Sequence, residues 1–342
     1  ISGGSHAANT AANDQNSFHA ALLHSTTMVA NPHQVGWLFL KKRKALALDH
    51  LTPYFPAMNM DKILSRLPIK ALRDRVPLVP VVRLDGVIAA QGSPLRPALN
   101  LASMVDPIER AFKAKGAKAV ALAINSPGGS PVQSALLHDR IRLLADEKEL
   151  PVYVFCEDVA ASGGYWIACA GDEIYGTETS IIGSIGVIAA TFGFEGAMEK
   201  IGVERRLFTA GDKKSLLDPF LPMEDDDLKR LAALQKEIHD AFKRHVRTRR
   251  EGRLKADESE LFSGEFWTGA KAVGLGLIDG LGDLKSVMRK KFGDKVRLPV
   301  VGGEKSWLQR RIGLSSQLPN MNLAGDLLAT AEVRAHWARY GL

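Results

Sequence analysis

The stretch "AKAVALAINSPGGSPVQSALLHDRIRLLADEKELPVYVFCE", residues 117–157, decides the fold. Its first nine residues are almost wholly apolar and lack the alternation of a strand with one wet face. A continuous apolar run of this length is the mark of a parallel strand covered on both sides. Pro127, Gly128 and Gly129 then break it. Residues 132–147 place apolar side chains at helical spacing, and a second apolar run fills 151–157. Strand, turn, helix, strand is a βαβ unit, because parallel strands need a long crossover.

The same punctuation continues on both sides. Upstream, "LVPVVRL" (78–84) predicts a strand and "LASMVDPIERAFKAKG" (101–116) a helix closing on Gly116. Downstream, "DEIYGT" (172–177) and "SIGVIAATF" (184–192) predict short strands, "EGAMEKIG" (195–202) a helix, and "VERRLFTA" (203–210) a strand. Leu228, Leu231, Leu234, Ile238, Phe242 and Val246 share one face of a long helix over 225–250, acidic in its first turn and basic in its last. "KAVGLGLIDGLG" (271–282) closes the unit. The expectation is an α/β domain over 78–295. Residues 1–57 are expected to be a tag, linker or upstream-translated segment, and 58–77 a short basic helix. Residues 296–342 are expected to form a tail with an amphipathic helix near 325–340.

Composition narrows the function classes. The chain has 342 residues, 46 % hydrophobic and 24 % charged, which suits an ordinary globular protein. Its net charge of +7 is not gathered into aromatic-interleaved patches. The basic stretch "KRHVRTRREGRLK" (243–255) reads as a solvated helix end, so no nucleic acid is expected as a partner. Cys156 and Cys169 lie in apolar runs and match neither a metal site nor a disulfide framework. No phosphate-binding loop and no metal-ligand cluster is present in the sequence, so neither cofactor nor metal is expected. No run approaches the ~20 apolar residues of a membrane span, and no secretory signal pattern is visible.

Three small-residue turns follow apolar strands: "NSPGG" (125–129), "ASGGY" (161–165) and "GSIGV" (183–187). Turns at the carboxyl ends of parallel strands are where α/β sheets bind ligands. Ser162 stands just ahead of a helix. It reads either as a helix N-cap or as a nucleophile whose oxyanion would meet free backbone N–H groups. A nucleophilic serine needs a base. His138 and His239 both fall in mid-helix, whereas "FTAGDKKSLLDPF" (208–220) puts Lys213 and Lys214 on a loop. A lysine acts as a base at neutral pH only when held uncharged.

"INSPGGS", "DVAASGGYWIA", "GSIGV", "TAGDKKSLLDPF" and "FWTGAKAVGLGLIDGLG", in this order and spacing, resemble the signal peptide peptidase A (protease IV) family of bacterial serine proteases. The likeness is nearest to its short, single-domain, SohB-type members and covers about 78–290. It implies a Clp-protease- and crotonase-like fold of stacked ββα units, and a serine endopeptidase with a Ser/Lys dyad. By resemblance Ser162 is the nucleophile. Lys214 is the base, since Pro219 stands five residues on, and Ser184 orients its amine. Gly163 and the Gly128/Gly129 turn supply the oxyanion hole. The resemblance also implies signal peptides or other short unfolded segments as substrates. It further implies a homo-oligomer with its active sites near subunit interfaces. Many members carry a membrane-anchoring helix that this chain lacks, so the expected location is cytoplasmic or peripheral to a bacterial inner membrane, with the periplasm second. Two other functions fit the same pattern less well: a crotonase-type acyl-CoA enzyme, and a non-catalytic oligomeric scaffold on membranes.

Overall fold

A computed structural model describes residues 76–92, 98–211, 213–302, 331 and 333–342. All of them belong to one compact unit, Ala71–Leu342. The expected segment 1–57 and the expected helix, up to residue 75, lie outside the described residues.

The elements are β1 (Val81–Asp85), α1 (Leu101–Phe112), β2 (Val120–Ser126), α2 (Pro131–Lys148), β3 (Val152–Ala161), α3 (Gly163–Ala168), β4 (Glu173–Gly176) and β5 (Ile181–Gly183). They continue with α4 (Glu195–Ile201), α5 (Asp225–Arg249), α6 (Glu258–Leu261), β6 (Phe266–Thr268), α7 (Gly269–Leu275), β7 (Gly280–Leu281), α8 (Leu284–Phe292) and β8 (Val300–Val301). The sheet runs β6-β5-β3-β2-β1-β8, with β4 joining β3 to β7, and among the described residues only the β5–β6 pair is antiparallel. The α/β class is therefore the one expected.

The continuous apolar strands follow from two-sided burial. Val120, Leu122 and Ile124 of β2 join the core built with α1, α2 and α3, while Ala119, Ala121 and Ala123 join a second cluster with Met288 of α8. Helices cover both faces, so neither side of β2 carries charge.

β3 changes partner along its length. Tyr153–Cys156 pair with β4, and Val159–Ala161 pair with β5. Between them the register with β2 slips: Ile124 faces Cys156, but Ser126 faces Ala160. Asn125 fills the irregularity, its Oδ1 accepting from Val159 N–H at 3.2 Å and its Nδ2 donating to Asp158 at 3.3 Å. A bulge of this kind bends a strand and re-aims the residues beyond it. Ser162, immediately after β3, is among those re-aimed.

Two expected strands are absent. Only Ile181–Gly183 forms a strand in the region of "GSIGV", and neither 184–192 nor 203–210 is a strand. The helix expected over 101–116 ends at Phe112, capped by Lys113. The long helix is present as α5, yet of its expected apolar face only Phe242 and Val246 are buried. The tail's expected helix is seen over 333–338. Trp337 and Tyr340 pack on Val159, Ala161 and Ile181, and the Tyr340 hydroxyl lies 3.5 Å from the Pro127 carbonyl.

Candidate active site

Ser162 is the single residue between β3 and α3, and its backbone is strained. At φ 51° and ψ −121° it occupies a region that residues with a side chain avoid. Such a conformation costs about 1–3 kcal/mol and persists only where the surroundings impose it. They do: Ala160 and Ala161 are locked into the β5 ladder, and the Ser162 N–H donates to the Gly183 carbonyl at 2.8 Å. The hydroxyl makes no capping bond to α3. By contrast, the Ser130 side chain does cap α2, accepting from Gln133 N–H. The N-cap reading of Ser162 therefore fails on geometry.

The three glycine turns meet around this residue. A Cβ on Gly128 would lie 2.8 Å from both the Ser162 Cβ and the Gly163 nitrogen. One on Gly163 would lie 2.4 Å from Ser134 Oγ, and one on Gly129 2.0 Å from the Ile88 carbonyl. The turns touch because none carries a side chain. The Gly163 N–H opens α3 and has no acceptor within the helix. The Gly128 N–H reaches Ser126 Oγ at 3.2 Å, at the long end of the ordinary range. Ser184, buried at φ 53°, follows the Gly183 that holds Ser162, and its N–H donates to the Glu265 carbonyl at 2.7 Å.

The chain thus brings Ser162, Gly163, Gly128, Gly129 and Ser184 together, and does not bring Lys214 to them. Lys214 is exposed, with its backbone N–H on the Gly211 carbonyl at 3.2 Å. Among the described residues no hydrogen bond or ion pair joins it to Ser162 or Ser184. The neighbouring Lys213 ammonium lies 3.8 Å from Asp226. Both lysines belong to an arm, residues 187–211 and 213–223, that is tied together from within. Arg205 pairs with Asp218 at 2.5 Å and covers the Phe220 ring, which stacks on Phe194. Helix α4 within the arm buries no residue.

A wall of rings behind α3 had no clear signal in the sequence. Trp166 stacks between Phe242 at 4.8 Å and His245 at 4.7 Å, and the His138 ring meets His245 edge-on at 4.3 Å. His245 Nε2 donates to the Trp166 carbonyl at 3.1 Å, and His239 Nε2 to the Ile185 carbonyl at 3.0 Å. Burial, reinforced by the neighbouring His138, pushes the His245 imidazole down to about 4. Burial also lowers His138. Among the described residues no hydrogen bond joins either ring to Ser162. Burial raises both thiols, Cys169 to about 12, so the two cysteines are unreactive core residues.

A groove of about 910 Å³ on the far face of the sheet is lined by Arg83, Asn125, Glu157, Ser180 and Tyr340, and not by Ser162. No cluster of three or more His, Cys, Asp or Glu with metal-binding geometry occurs among the described residues.

Known sequences bear on this arrangement. The sequence model of peptidase family S49 matches residues 145–295, which include Ser162, Ser184 and Lys214. A Brucella abortus protein named Na(+)/H(+) antiporter NhaA is 52 % identical over 288 residues, covering 82 % of this chain but 39 % of that protein. The chain thus spans about two fifths of that relative. The chloroplastic serine protease SPPA of Arabidopsis thaliana is 30 % identical over 217 residues, 62 % of this chain and 31 % of that one. In slr0021, a protease-named protein of Synechocystis sp., the match is 32 % over 235 residues, 66 % of this chain and 80 % of the relative. With four fifths of that relative covered at this identity, and the family's sequence model matched across Ser162, the chain belongs to peptidase family S49.

Proposed function

We propose that this chain is a serine-type endopeptidase with Ser162 as nucleophile and Lys214 as its base, the lysine reaching Ser162 from a neighbouring copy of the chain. The observation that carries the reading is the conformation of Ser162. A strained, uncapped serine sits at the head of a helix, walled by backbone from two glycine turns. A catalytic lysine must lose its charge, which takes burial. Lys214 is exposed here, and its arm presents apolar side chains that a second copy would cover.

The chemistry follows from these positions. Neutral Lys214 takes the Ser162 proton as Oγ attacks the scissile carbonyl. The Gly163 N–H, with the Gly128/Gly129 turn, stabilises the oxyanion. The protonated lysine returns its proton to the leaving amine, and water then frees the acyl-enzyme. Ser184 orients the lysine amine. An extended peptide suits a site whose walls are backbone, so short unfolded segments, signal peptides among them, are the proposed substrates. No helix among the described residues is long and apolar enough to cross a membrane. The Brucella relative is named as an antiporter, which supports work at a membrane surface.

The test mixes two inactive variants. Ser162→Ala and Lys214→Ala are each expected to abolish turnover of a signal-peptide-like substrate, with Lys213→Ala retaining it. Ser162→Ala mixed with Lys214→Ala and reassembled is expected to regain part of the activity, since some interfaces then pair an intact serine with an intact lysine. Full activity in Lys214→Ala would sink the dyad. Inactive mixtures that assemble normally would place the lysine in the same chain.

A further inference from the structure

Ser184 holds a left-handed backbone, φ 53°, and something must keep it there. Its N–H and carbonyl are used: the N–H donates to Glu265 and the carbonyl accepts from Gly186 at 2.9 Å. The next residue, Ile185, is fully buried and lies past the end of β5, beyond the ladder. An unmet carbonyl there would carry the full cost of desolvation. His239 meets it from α5, with Nε2 3.0 Å from the Ile185 oxygen. The acceptor is a carbonyl, so the nitrogen facing it carries the proton. That nitrogen is committed to the Ile185 carbonyl.

We propose that His239 is a positioning residue for the Ser162 site: its hydrogen bond to the Ile185 carbonyl fixes the Ser184 turn, and through Gly183 the backbone of Ser162. The path is short and made of named bonds. The Ser162 N–H rests on the Gly183 carbonyl at 2.8 Å, Gly183 adjoins Ser184, and Ser184 adjoins the Ile185 that His239 holds. His239 is half-buried and takes no part in the ring stack around Trp166, so its role separates from core packing. The inference rests on Ser162 being the nucleophile.

The experiment measures the rate at which a fluorophosphonate probe labels Ser162 in the full chain. Alongside it, kcat and KM are measured for a peptide, and the thermal midpoint is recorded. His239→Ala is expected to label about fivefold more slowly, with kcat lowered, KM unchanged and the midpoint shifted little. His239→Gln, which keeps a side-chain N–H at similar reach, is expected to restore most of the rate. Lys236→Ala, which removes the surface pair with Asp240 on the same helix, is expected to label like the parent. If the parent labels and His239→Ala labels equally fast, the positioning role is overturned while the nucleophile stands. A slow His239→Ala that Gln does not rescue, or whose midpoint falls in step with its rate, makes the residue structural and overturns the role too. A parent that never labels at Ser162 overturns the reading beneath it, and this inference with it.

Discussion

Gly163 shows how narrow the allowance around Ser162 is. Its missing side chain leaves a gap that Ser134 Oγ already fills, 2.4 Å from where a Cβ would stand. The Ser134 hydroxyl is itself held, donating to the Ser130 carbonyl at 2.9 Å. Gly163→Ala is therefore expected to push α3 off α2, lowering stability by about 1–3 kcal/mol and slowing probe labelling of Ser162. Removing the obstructing oxygen should relieve it: with Ser134→Ala, the next contacts of the new Cβ are 3.2 Å or longer. A double-mutant cycle by urea unfolding checks this. Additive losses would show that the oxygen is not the obstacle. The identity of these small residues is plain in the sequence, but the reason is not. "ASGGY" reads either as a cap or as a nucleophile's turn, and only the dihedral angles of Ser162 and the absent capping bond separate the two.

At the scale of elements, α3 is too short to hold itself. A helix of six residues makes few internal bonds, so its stability comes from neighbours. Helix α5 supplies them. His245 donates to the Trp166 carbonyl, and Arg249 Nε to the Cys169 carbonyl at 2.8 Å; from α2, Arg142 donates to Ala170 at 3.0 Å. The His245 contact makes the element sensitive to acid. Folded, its imidazole is held down to about 4 from an ordinary 6.5, so the folded state resists a proton that the unfolded chain accepts. Stability is then full above about 6.5 and falls as pH drops toward about 4, by at most about 3 kcal/mol. His138, shifted the same way, adds to the trend. Unfolding in urea at pH 7 and pH 5 measures it. His245→Phe, which keeps a ring in the stack, is expected to show a shallower decline, and an unchanged slope would remove His245 as the cause. The strands were legible because their apolar pattern matches what they bury; the periodicity of α5 gave its extent, although only Phe242 and Val246 of its apolar face are buried. The strands expected at 184–192 and 203–210 were not real, because an apolar pattern reports a need for burial and not a partner strand within the same chain.

That unmet need is largest at the scale of the whole molecule. Phe208 is 91 % exposed, Phe192 73 % and Ile201 72 %, all within one arm. The first half of α5 continues the pattern, with Leu228 and Leu234 exposed where the expected stripe called for burial. Soluble proteins seldom leave so much apolar surface uncovered unless something docks on it. The arm also carries Lys214, whose proposed chemistry requires burial. The proposed second copy of the chain would answer both demands at once. Phe208→Ser combined with Ile201→Ser is expected to weaken self-association, each lost apolar contact being worth about 2 kcal/mol or roughly thirtyfold in the association constant. Sedimentation velocity should show smaller species at concentrations where the parent is assembled. Peptide turnover should fall with assembly and return as concentration is raised. The unfolding midpoint should lose its dependence on protein concentration, because association stabilises the folded chain only by mass action. A double variant that assembles and cleaves like the parent would mean that the arm is covered by something other than its own copy.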